Sequence, residues 1–340
     1  MRVNMAKIGQ VAGVSASTVC NALNNRPGVN AETAAHIFRI AHDMGYFSKK
    51  KLSTIRLLHL KRRHFNVRET PFFAGLLQSI ERECQAQELN LLFSSVNPDE
   101  GWEQADSFLG NTSCGLILLA TEATNADIAH FDDVRRPFLL LDNCPRSPAH
   151  SVISIDNETG AMQAVEYLIQ NGHHKIGYLC YADRFRNFLD REAGFKRALE
   201  EAGLEPDPQY IISAALQFDT DWQSLRKSLI TMNKLPTAFF ADNDILALNA
   251  VRALRSLGVR VPKDVSVVGF DDIFLSELFT PSLTTINVNT QELARLAVQS
   301  LLDQAQSGIH TPTKMQLCTR LVERESVHDL TAKNFECGKE

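Results

Sequence analysis

The spacing of hydrophobic and polar positions changes near residue 54. Before this point, apolar residues recur at the spacing of short amphipathic helices. Beyond it, apolar runs of strand length alternate with longer amphipathic helical segments, separated by polar turns. The pattern predicts a small all-α head followed by an α/β body.

Two short helices joined by a tight turn form the centre of the head. The second is predicted over residues 16–24, ASTVCNALN, and Gly13 separates it from the helical spacing that precedes it. Ser15 can cap this helix, and Asn30 can cap a third helix over residues 31–44. This is the outline of a helix-turn-helix, whose second helix points its first residues into the DNA major groove.

Candidate DNA contacts comprise base readers and backbone binders. Asn21 can pair with adenine in a bidentate manner, and Ala16 or the β-carbon of Ser17 can meet a thymine methyl group. Basic residues outnumber acidic ones in the head although the whole chain has a net charge of −5, which is typical of phosphate contacts. The predicted DNA-binding residues are Lys7, Ser15, Ala16, Ser17, Thr18, Asn21, Asn24, Lys49, Lys50 and Lys51.

The body repeats a strand–helix pattern twice. Apolar strands that alternate with amphipathic helices are typical of parallel sheets covered on both faces. Because the pattern starts again after residue 156, two lobes are expected, with ligand sites at the carboxyl ends of their strands. Strands are predicted over residues 54–60, 90–95, 115–120, 138–142, 175–180, 237–241 and 265–270, and helices over 71–87, 161–170, 192–202 and 245–257.

Polar side chains follow several of the predicted strands. Asp142 ends one strand, Asn243 and Asp244 follow another, and Asp271 and Asp272 follow a third. Carboxylate and amide groups gathered at one rim suit the vicinal hydroxyls of a sugar. Asp244 and Asp272 are more simply explained as caps at helix starts.

Several motifs resemble those of one family. The segment AKIGQVAGVSASTVCNALNNRPGVNAETAAHIFRIAHDMGY resembles the head of the LacI/GalR family of bacterial transcription regulators. Motifs of the family body follow in order: TPFF, LIQNGHHKIGYL, REAGFKRALEEAGL, VPKDVSVVGFDD, TPSLTTI and LVERES. The resemblance implies a helix-turn-helix head over residues 1–48, a linker over 49–53, a two-lobed body like that of periplasmic sugar-binding proteins over 54–328, and a tail over 329–340. Lobe 1 would take about 54–156 and 287–316, and lobe 2 about 157–286 and 317–328.

The family resemblance also implies a function. It predicts a repressor that binds a pseudo-palindromic operator as a homodimer, through helices at 72–88 and 245–257, and is controlled by a sugar or sugar derivative between the lobes. Effector would be held by Arg191, Asn243 and Asp271, with Phe72, Phe73, Asp142 and Phe218 as further contributors. For Phe73 and Phe218 a place in the core explains the residue equally well.

Two departures from the family pattern bear on DNA binding. The family usually has Ser-Arg where this chain has Cys20-Asn21, so its operator should differ from the commonest half-site. The linker is also short. Leu52 could be the wedge that the family inserts into the minor groove, but it is out of register with the family position, and a solvated tether in which Lys49, Lys50 and Lys51 touch phosphates is the simpler interpretation. A sensor with weak or partner-dependent DNA binding therefore remains an alternative.

Composition and missing motifs exclude other classes. The 340 residues, 44% of them hydrophobic, suffice for two or three domains, and no apolar run approaches about 18 residues, so a cytoplasmic protein without membrane contact is expected. The seven cysteines are scattered and indicate reduced thiols without metal or disulfide. Nucleotide, nucleophile and zinc motifs are absent, so neither an enzyme nor a cofactor is predicted.

Three other polar features have simple structural explanations. His173 and His174 stand in a turn before a predicted strand, where a structural role is expected. Arg184 and Arg186 could meet a phosphorylated sugar, although a solvated loop explains them more simply.

Overall fold

A computed structural model describes residues 4–23, 28–44, 46, 52–61, 70–109, 114–134, 136–143, 145, 149–214, 221–307 and 311–331. The chain divides into two compact units. Unit 1 comprises Met1–Arg62, Leu76–Ser154 and Gln291–Met315, and unit 2 comprises Arg63–Gly75, Ile155–Thr290 and Gln316–Glu340. The predicted fold class, a small helical head before an α/β body with parallel sheets, is confirmed.

The described part of the head contains three α-helices, α1 (Met5–Ala12), α2 (Ala16–Leu23) and α3 (Ala31–Asp43). They pack around a core in which Ile8 and Val19 are fully buried. The three helices meet because each presents one apolar stripe at helical spacing.

The turns and caps of the head follow from particular residues. Gly13 ends α1 at φ 68°, a left-handed conformation that glycine adopts without strain. The Oγ of Ser15 accepts the main-chain N–H of Thr18 at 3.0 Å, and the Oδ1 of Asn30 accepts that of Thr33 at 2.7 Å. Both predicted caps are therefore confirmed.

In the described part of the chain, the larger sheet has six strands, in the order β11 (Lys314–Leu317), β5 (Ser151–Ile155), β4 (Phe138–Leu141), β3 (Cys114–Leu119), β1 (Thr54–Leu60) and β2 (Asn90–Val96). Strands β1 to β5 pair in parallel, and every residue of β3 and β4 is buried, which explains their continuous apolar runs. The elements of this part of the chain are β1 (Thr54–Leu60), α4 (Pro71–Ala86), β2 (Asn90–Val96), α5 (Glu103–Leu109), β3 (Cys114–Leu119), α6 (Asn125–Ala129), β4 (Phe138–Leu141), β5 (Ser151–Ile155), α12 (Thr290–Ser307) and β11 (Lys314–Leu317).

Leu52 belongs to the core of unit 1. Its side chain is only 4% exposed, and a β-carbon placed on Gly115 would lie 3.2 Å from its Cδ2 and 3.1 Å from the Cδ1 of Leu301. The next residue, Ser53, accepts the main-chain N–H of Asn90 at 3.0 Å, one step before β1 begins. Leu52 thus packs near Gly115 and Leu301 in the core of unit 1, where it is buried and not exposed as a wedge.

The described residues of unit 2 form a four-stranded parallel sheet in the order β7 (Ile211–Ala214), β6 (Ile176–Tyr181), β8 (Ala238–Ala241) and β9 (Ser266–Val268). They also form an antiparallel pair, β10 (Thr285–Asn287) and β12 (Arg320–Val322). Its elements are α7 (Asn157–Gln170), β6 (Ile176–Tyr181), α8 (Arg186–Glu201), β7 (Ile211–Ala214), α9 (Asp221–Ile230), β8 (Ala238–Ala241), α10 (Asp244–Ser256), β9 (Ser266–Val268), α11 (Phe274–Leu278), β10 (Thr285–Asn287) and β12 (Arg320–Val322). The predicted strands and helices are confirmed with shifted ends. The largest shift is in α8, which begins at Arg186 and not at residue 192.

None of the helices in the described part of the chain has both the length and the apolar character that crossing a bilayer requires.

Candidate functional site

The first turn of α2 is exposed to solvent. Ser15, Ala16 and Ser17 are exposed, and the Oγ of Ser15 lies 2.7 Å from the Oγ of Ser17 and 2.8 Å from the Oγ1 of Thr18. Because Val19 is fully buried, the helix cannot rotate without losing its place in the core. Val19 therefore fixes the orientation of α2, with the first turn of this helix facing solvent.

The other residues predicted to contact DNA are less exposed or lie outside the described residues. Asn21 and Lys7 are half-buried on α2 and α1. Asn24 and the three lysines at positions 49–51 lie outside the described residues, so their predicted contacts stay predictions.

Arg191 is the centre of the polar cluster in unit 2. It lies on α8 with 2% exposure, its Nε donates to the Oδ1 of Asn157 at 2.9 Å, and its Nη1 donates to the main-chain carbonyl of Asp242. Its Nη2 donates to the Oδ1 of Asp271 at 3.1 Å, and the guanidinium lies 3.7 Å from the ring centroid of Phe270. Two residues predicted to bind effector, Arg191 and Asp271, are thus brought together as an ion pair.

Asn243 joins this cluster as the cap of α10. Its Oδ1 accepts the main-chain N–H of Leu246 at 3.0 Å and the hydroxyl of Tyr181 at 3.2 Å. Within the described residues its amide nitrogen makes no hydrogen bond, so this donor is the atom available to a ligand.

The prediction that Asp244 and Asp272 cap helices is wrong. The carboxylate of Asp244 is fully buried and accepts hydrogen bonds from distant groups on the chain, not from its own helix start; the donors are the main-chain N–H of Ile273 at 2.9 Å and the hydroxyls of Ser276 at 2.7 Å and of Thr285. Asp272 pairs with Arg324 at 2.7 Å and accepts the amide of Asn287 at 2.8 Å. Both residues tie segments of unit 2 together.

The three aromatic residues predicted to contribute to effector binding have different outcomes. Phe72 is half-buried and packs against the hydrophobic core of unit 2. Phe73 is 3% exposed, which favours the core alternative for that residue. Phe218 lies outside the described residues.

Unit 1 carries its own polar group at the carboxyl ends of its strands. Thr121 donates its hydroxyl to the Oδ2 of Asp142 at 2.7 Å. His59 and Glu122 face each other with 3.5 Å between Nε2 and Oε1, both side chains fully buried, and the Nδ1 of His59 lies 3.2 Å from the Oγ of Ser95. Sequence reasoning missed both residues. His59 is the penultimate residue of β1 and Glu122 follows shortly after β3, and a polar residue near the end of an apolar strand is the signal that identified Asp142.

The remaining polar predictions have structural outcomes. His173 is buried, with Nδ1 3.0 Å from the Oγ1 of Thr237 and Nε2 3.1 Å from the carbonyl of His328, and burial lowers its pKa. This is the structural role expected. Arg184, predicted as a solvated loop residue, instead forms an ion pair with the buried carboxylate of Asp242 at 2.6 Å, so that prediction is wrong. Among the residues that the structure describes, no group of His, Cys, Asp or Glu could hold a metal ion.

Comparisons with known proteins agree with this architecture. Residues 165–327 match the model of a periplasmic binding protein-like domain. The HTH-type transcriptional repressor PurR of Haemophilus influenzae is 28% identical over 333 residues, which cover 95% of this chain and 98% of the relative. PurR of Aliivibrio salmonicida is 29% identical over 334 residues, with the same coverage.

Several solved structures are also similar to this chain. The transcriptional regulator CelR in complex with cellobiose is 26% identical with a TM-score of 0.71, over 96% of this chain and 100% of that one. A LacI family regulator from Enterococcus faecium with bound ribose is 25% identical with a TM-score of 0.70, over 82% and 100%. The Lac repressor dimer bound to operator, 23% identical with a TM-score of 0.70 over 96% and 100%, shares the fold.

The head, the body and these likenesses define a class of protein, a transcriptional regulator with a helix-turn-helix head and a ligand-binding body. Within that class, the chain is similar along almost its whole length to PurR repressors and to the regulator CelR, and residues 165–327 match a periplasmic binding protein-like domain.

Proposed function

We propose that the protein represses transcription by binding a pseudo-palindromic operator as a homodimer, under the control of a sugar or sugar derivative. The observation that carries the DNA-binding part is the exposed first turn of α2, with Ser15, Ala16 and Ser17 facing solvent over a fixed core. A single head makes few base contacts, so two heads on two half-sites supply the specificity that a regulator needs.

The effector is bound at the polar cluster of unit 2. The guanidinium of Arg191 and the carboxylate of Asp271 offer the donor and acceptor that adjacent hydroxyls require, and the amide of Asn243 adds a further donor. Cellobiose and ribose occupy the CelR and Enterococcus faecium structures, which favours a carbohydrate here. Effector shifts the operator affinity only as far as it binds two conformations unequally.

Asn21→Ala should relax the operator sequence at one position of each half-site. Loss of a bidentate contact to adenine removes about 1–3 kcal/mol of discrimination at that base. The measurement is selection of bound DNA from a random pool with the full-length wild-type and variant proteins, followed by titration of the selected half-sites.

Lys7→Ala is the matched control for the test of base recognition by Asn21. A lost phosphate contact weakens binding evenly across sequences and lowers the salt dependence. If Asn21→Ala also weakens all sequences evenly, Asn21 does not read bases. If the wild-type protein enriches no sequence, the alternative of a sensor with weak or partner-dependent DNA binding replaces the proposal.

A strip of exposed apolar side chains on α11 supports the homodimer. Phe274 is 73% exposed, Leu275 43% and Leu278 61%. The neighbouring helix α10, one of the two helices predicted at the dimer contact, is tied to this segment by a 2.7 Å hydrogen bond from Arg255 to the carbonyl of Thr280. An apolar strip of this kind on a soluble chain is typical of a surface that a partner covers, and the partner proposed is a second copy.

Leu278→Asp should convert the dimer to a monomer and weaken operator binding by roughly tenfold or more, because a buried unpaired charge opposes association. Light scattering after size exclusion measures the mass, and operator titration measures the affinity. Ile230→Asp is the matched control, since Ile230 is 54% exposed on a different helix, α9. If wild type and Leu278→Asp have equal masses, α11 is not part of the dimer contact.

A further inference from the structure

Arg184 joins two elements of unit 2 through one guanidinium. It stands in the loop between β6 and α8. Its Nη1 lies 2.6 Å from the Oδ2 of Asp242, which follows β8, and its Nη2 donates to the Oε2 of Glu192 at 2.9 Å and to the carbonyl of Phe188 at 2.8 Å, both on α8. The turn after β8 and the first turns of α8 are therefore held at a fixed separation by one planar group.

The Asp242 end of this bridge is deeply buried. Its carboxylate is fully buried and also accepts the main-chain N–H of Tyr181 at 2.9 Å and the hydroxyl of Tyr178. Burial opposes the charge of Arg184, but Asp242 and Tyr178 outweigh that effect and raise the pKa of the guanidinium above its usual range. A carboxylate held by three donors in an apolar surrounding cannot shift without leaving a donor unsatisfied.

The same residue, Asp242, is a direct partner of the proposed effector site. Its main-chain carbonyl accepts a hydrogen bond from the Nη1 of Arg191. The other ties of Arg191 run to Asn157 and Asp271. The position of the turn after β8 therefore sets one of the three anchors that orient the Arg191 guanidinium, and Arg184 holds that turn.

We propose that Arg184 is a positioning residue of the effector site, which acts through Asp242 to keep the guanidinium of Arg191 in place. The inference rests on the proposed effector site. A buried ion pair adds little stability over apolar packing of the same volume, whereas its fixed geometry restrains the groups that it joins. Here the groups joined are the helix that carries Arg191 and the turn that accepts its hydrogen bond.

Arg184→Met should loosen Arg191 while keeping the volume of the side chain. In the full-length protein labelled with ¹⁵N-arginine, the Nε–H of Arg191, assigned by its loss in Arg191→Lys, should exchange slowly with solvent because it is buried and bonded to Asn157. In Arg184→Met this exchange should accelerate roughly tenfold or more, since local opening no longer has to break the bridge. Backbone amide exchange in β8 and urea unfolding report whether the unit remains folded.

Arg186→Met is the matched control. Arg186 stands two residues further on and is exposed. Among the described residues, its ion-pair partner is Asp190 in its own helix. If Arg184→Met fails to fold, Arg184→Lys serves in its place, because a lysine keeps a charge beside Asp242 but cannot also span to Glu192. In Arg184→Lys, exchange of the Arg191 Nε–H should accelerate less than in Arg184→Met.

Arg191 exchange that is unchanged in a folded Arg184 variant would overturn the inference. So would equal acceleration in Arg186→Met, or the absence of a protected Arg191 signal in the wild type. Failure of the effector site is read separately, from the ligand response of an Arg191 variant, so that the two outcomes are distinguishable.

Discussion

Arg191→Ala will abolish the thermal stabilisation that an effector gives the wild-type protein, while operator binding by the heads persists. Arg191 is 2% exposed and supplies three directed donors in unit 2, one of them to Asp271. Loss of a buried, hydrogen-bonded charge costs about 2–5 kcal/mol in binding, so the effector affinity should fall by roughly 100-fold or more.

The measurement is a thermal shift assay of the full-length protein with a panel of sugars and sugar phosphates that includes ribose and cellobiose. A saturating ligand at about 100 times its Kd stabilises the wild type by about 2.7 kcal/mol, which the assay detects readily. Arg197→Ala on the same helix is the matched control, because Arg197 is exposed and pairs with Glu201 and Glu158. Unchanged stabilisation in Arg191→Ala would refute the assignment of the effector site to this cluster.

The architecture was predictable from the sequence because local patterns determine it. The strands β1, β3 and β4 are buried on both faces, so their apolar runs stand out from the polar turns on either side. The caps Ser15 and Asn30 were predictable because a cap bonds to a residue only three positions away.

Partners that are distant along the chain were not predictable from such patterns. Asn243 and Asp244 are adjacent, and either could cap α10; the structure gives that role to Asn243 and ties Asp244 to Ser276 and Thr285. The same reason applies to Arg184, whose partner Asp242 is 58 positions away. A charged residue in a loop was interpreted as solvated because the sequence does not show which buried carboxylate meets it.

The linker illustrates a limit of resemblance. A leucine after a basic run matched the family wedge in residue type, and its true neighbours, Gly115 and Leu301, are distant in sequence. The sheet begins to pair at Ser53, so Leu52 has the burial of a strand residue.

Asp244→Ala should lower the free energy of unfolding by about 3–5 kcal/mol, because it leaves several buried donors without an acceptor. Those donors are the main-chain N–H of Ile273 and the hydroxyls of Ser276 and Thr285. Urea unfolding of the full-length protein, followed by fluorescence and by circular dichroism, measures the change. Asp264→Ala is the matched control, since Asp264 is exposed and pairs with Arg260 within one turn, and only a small change is expected there.

The pH dependence of stability separates the charge of Asp244 from its hydrogen bonds. Burial raises the pKa of Asp244 to about 8, with a further contribution from the carboxylate of Asp271, while the donors from Thr285, Ser276 and Ile273 oppose the shift. Because the folded state holds this proton more tightly than the unfolded state, whose value is 3.8, the carboxyl contributes stability below pH 4 that is lost progressively as the pH rises through about 8. Asp244→Asn cannot ionise, so its stability should lack this slope with pH. Pairing with Arg260 lowers the pKa of Asp264 to about 2, so Asp264 does not contribute to the slope between pH 4 and 8. Parallel stability curves for the wild type and Asp244→Asn between pH 5 and 8 would show that Asp244 is ionised in the folded protein and is held there by its donors alone.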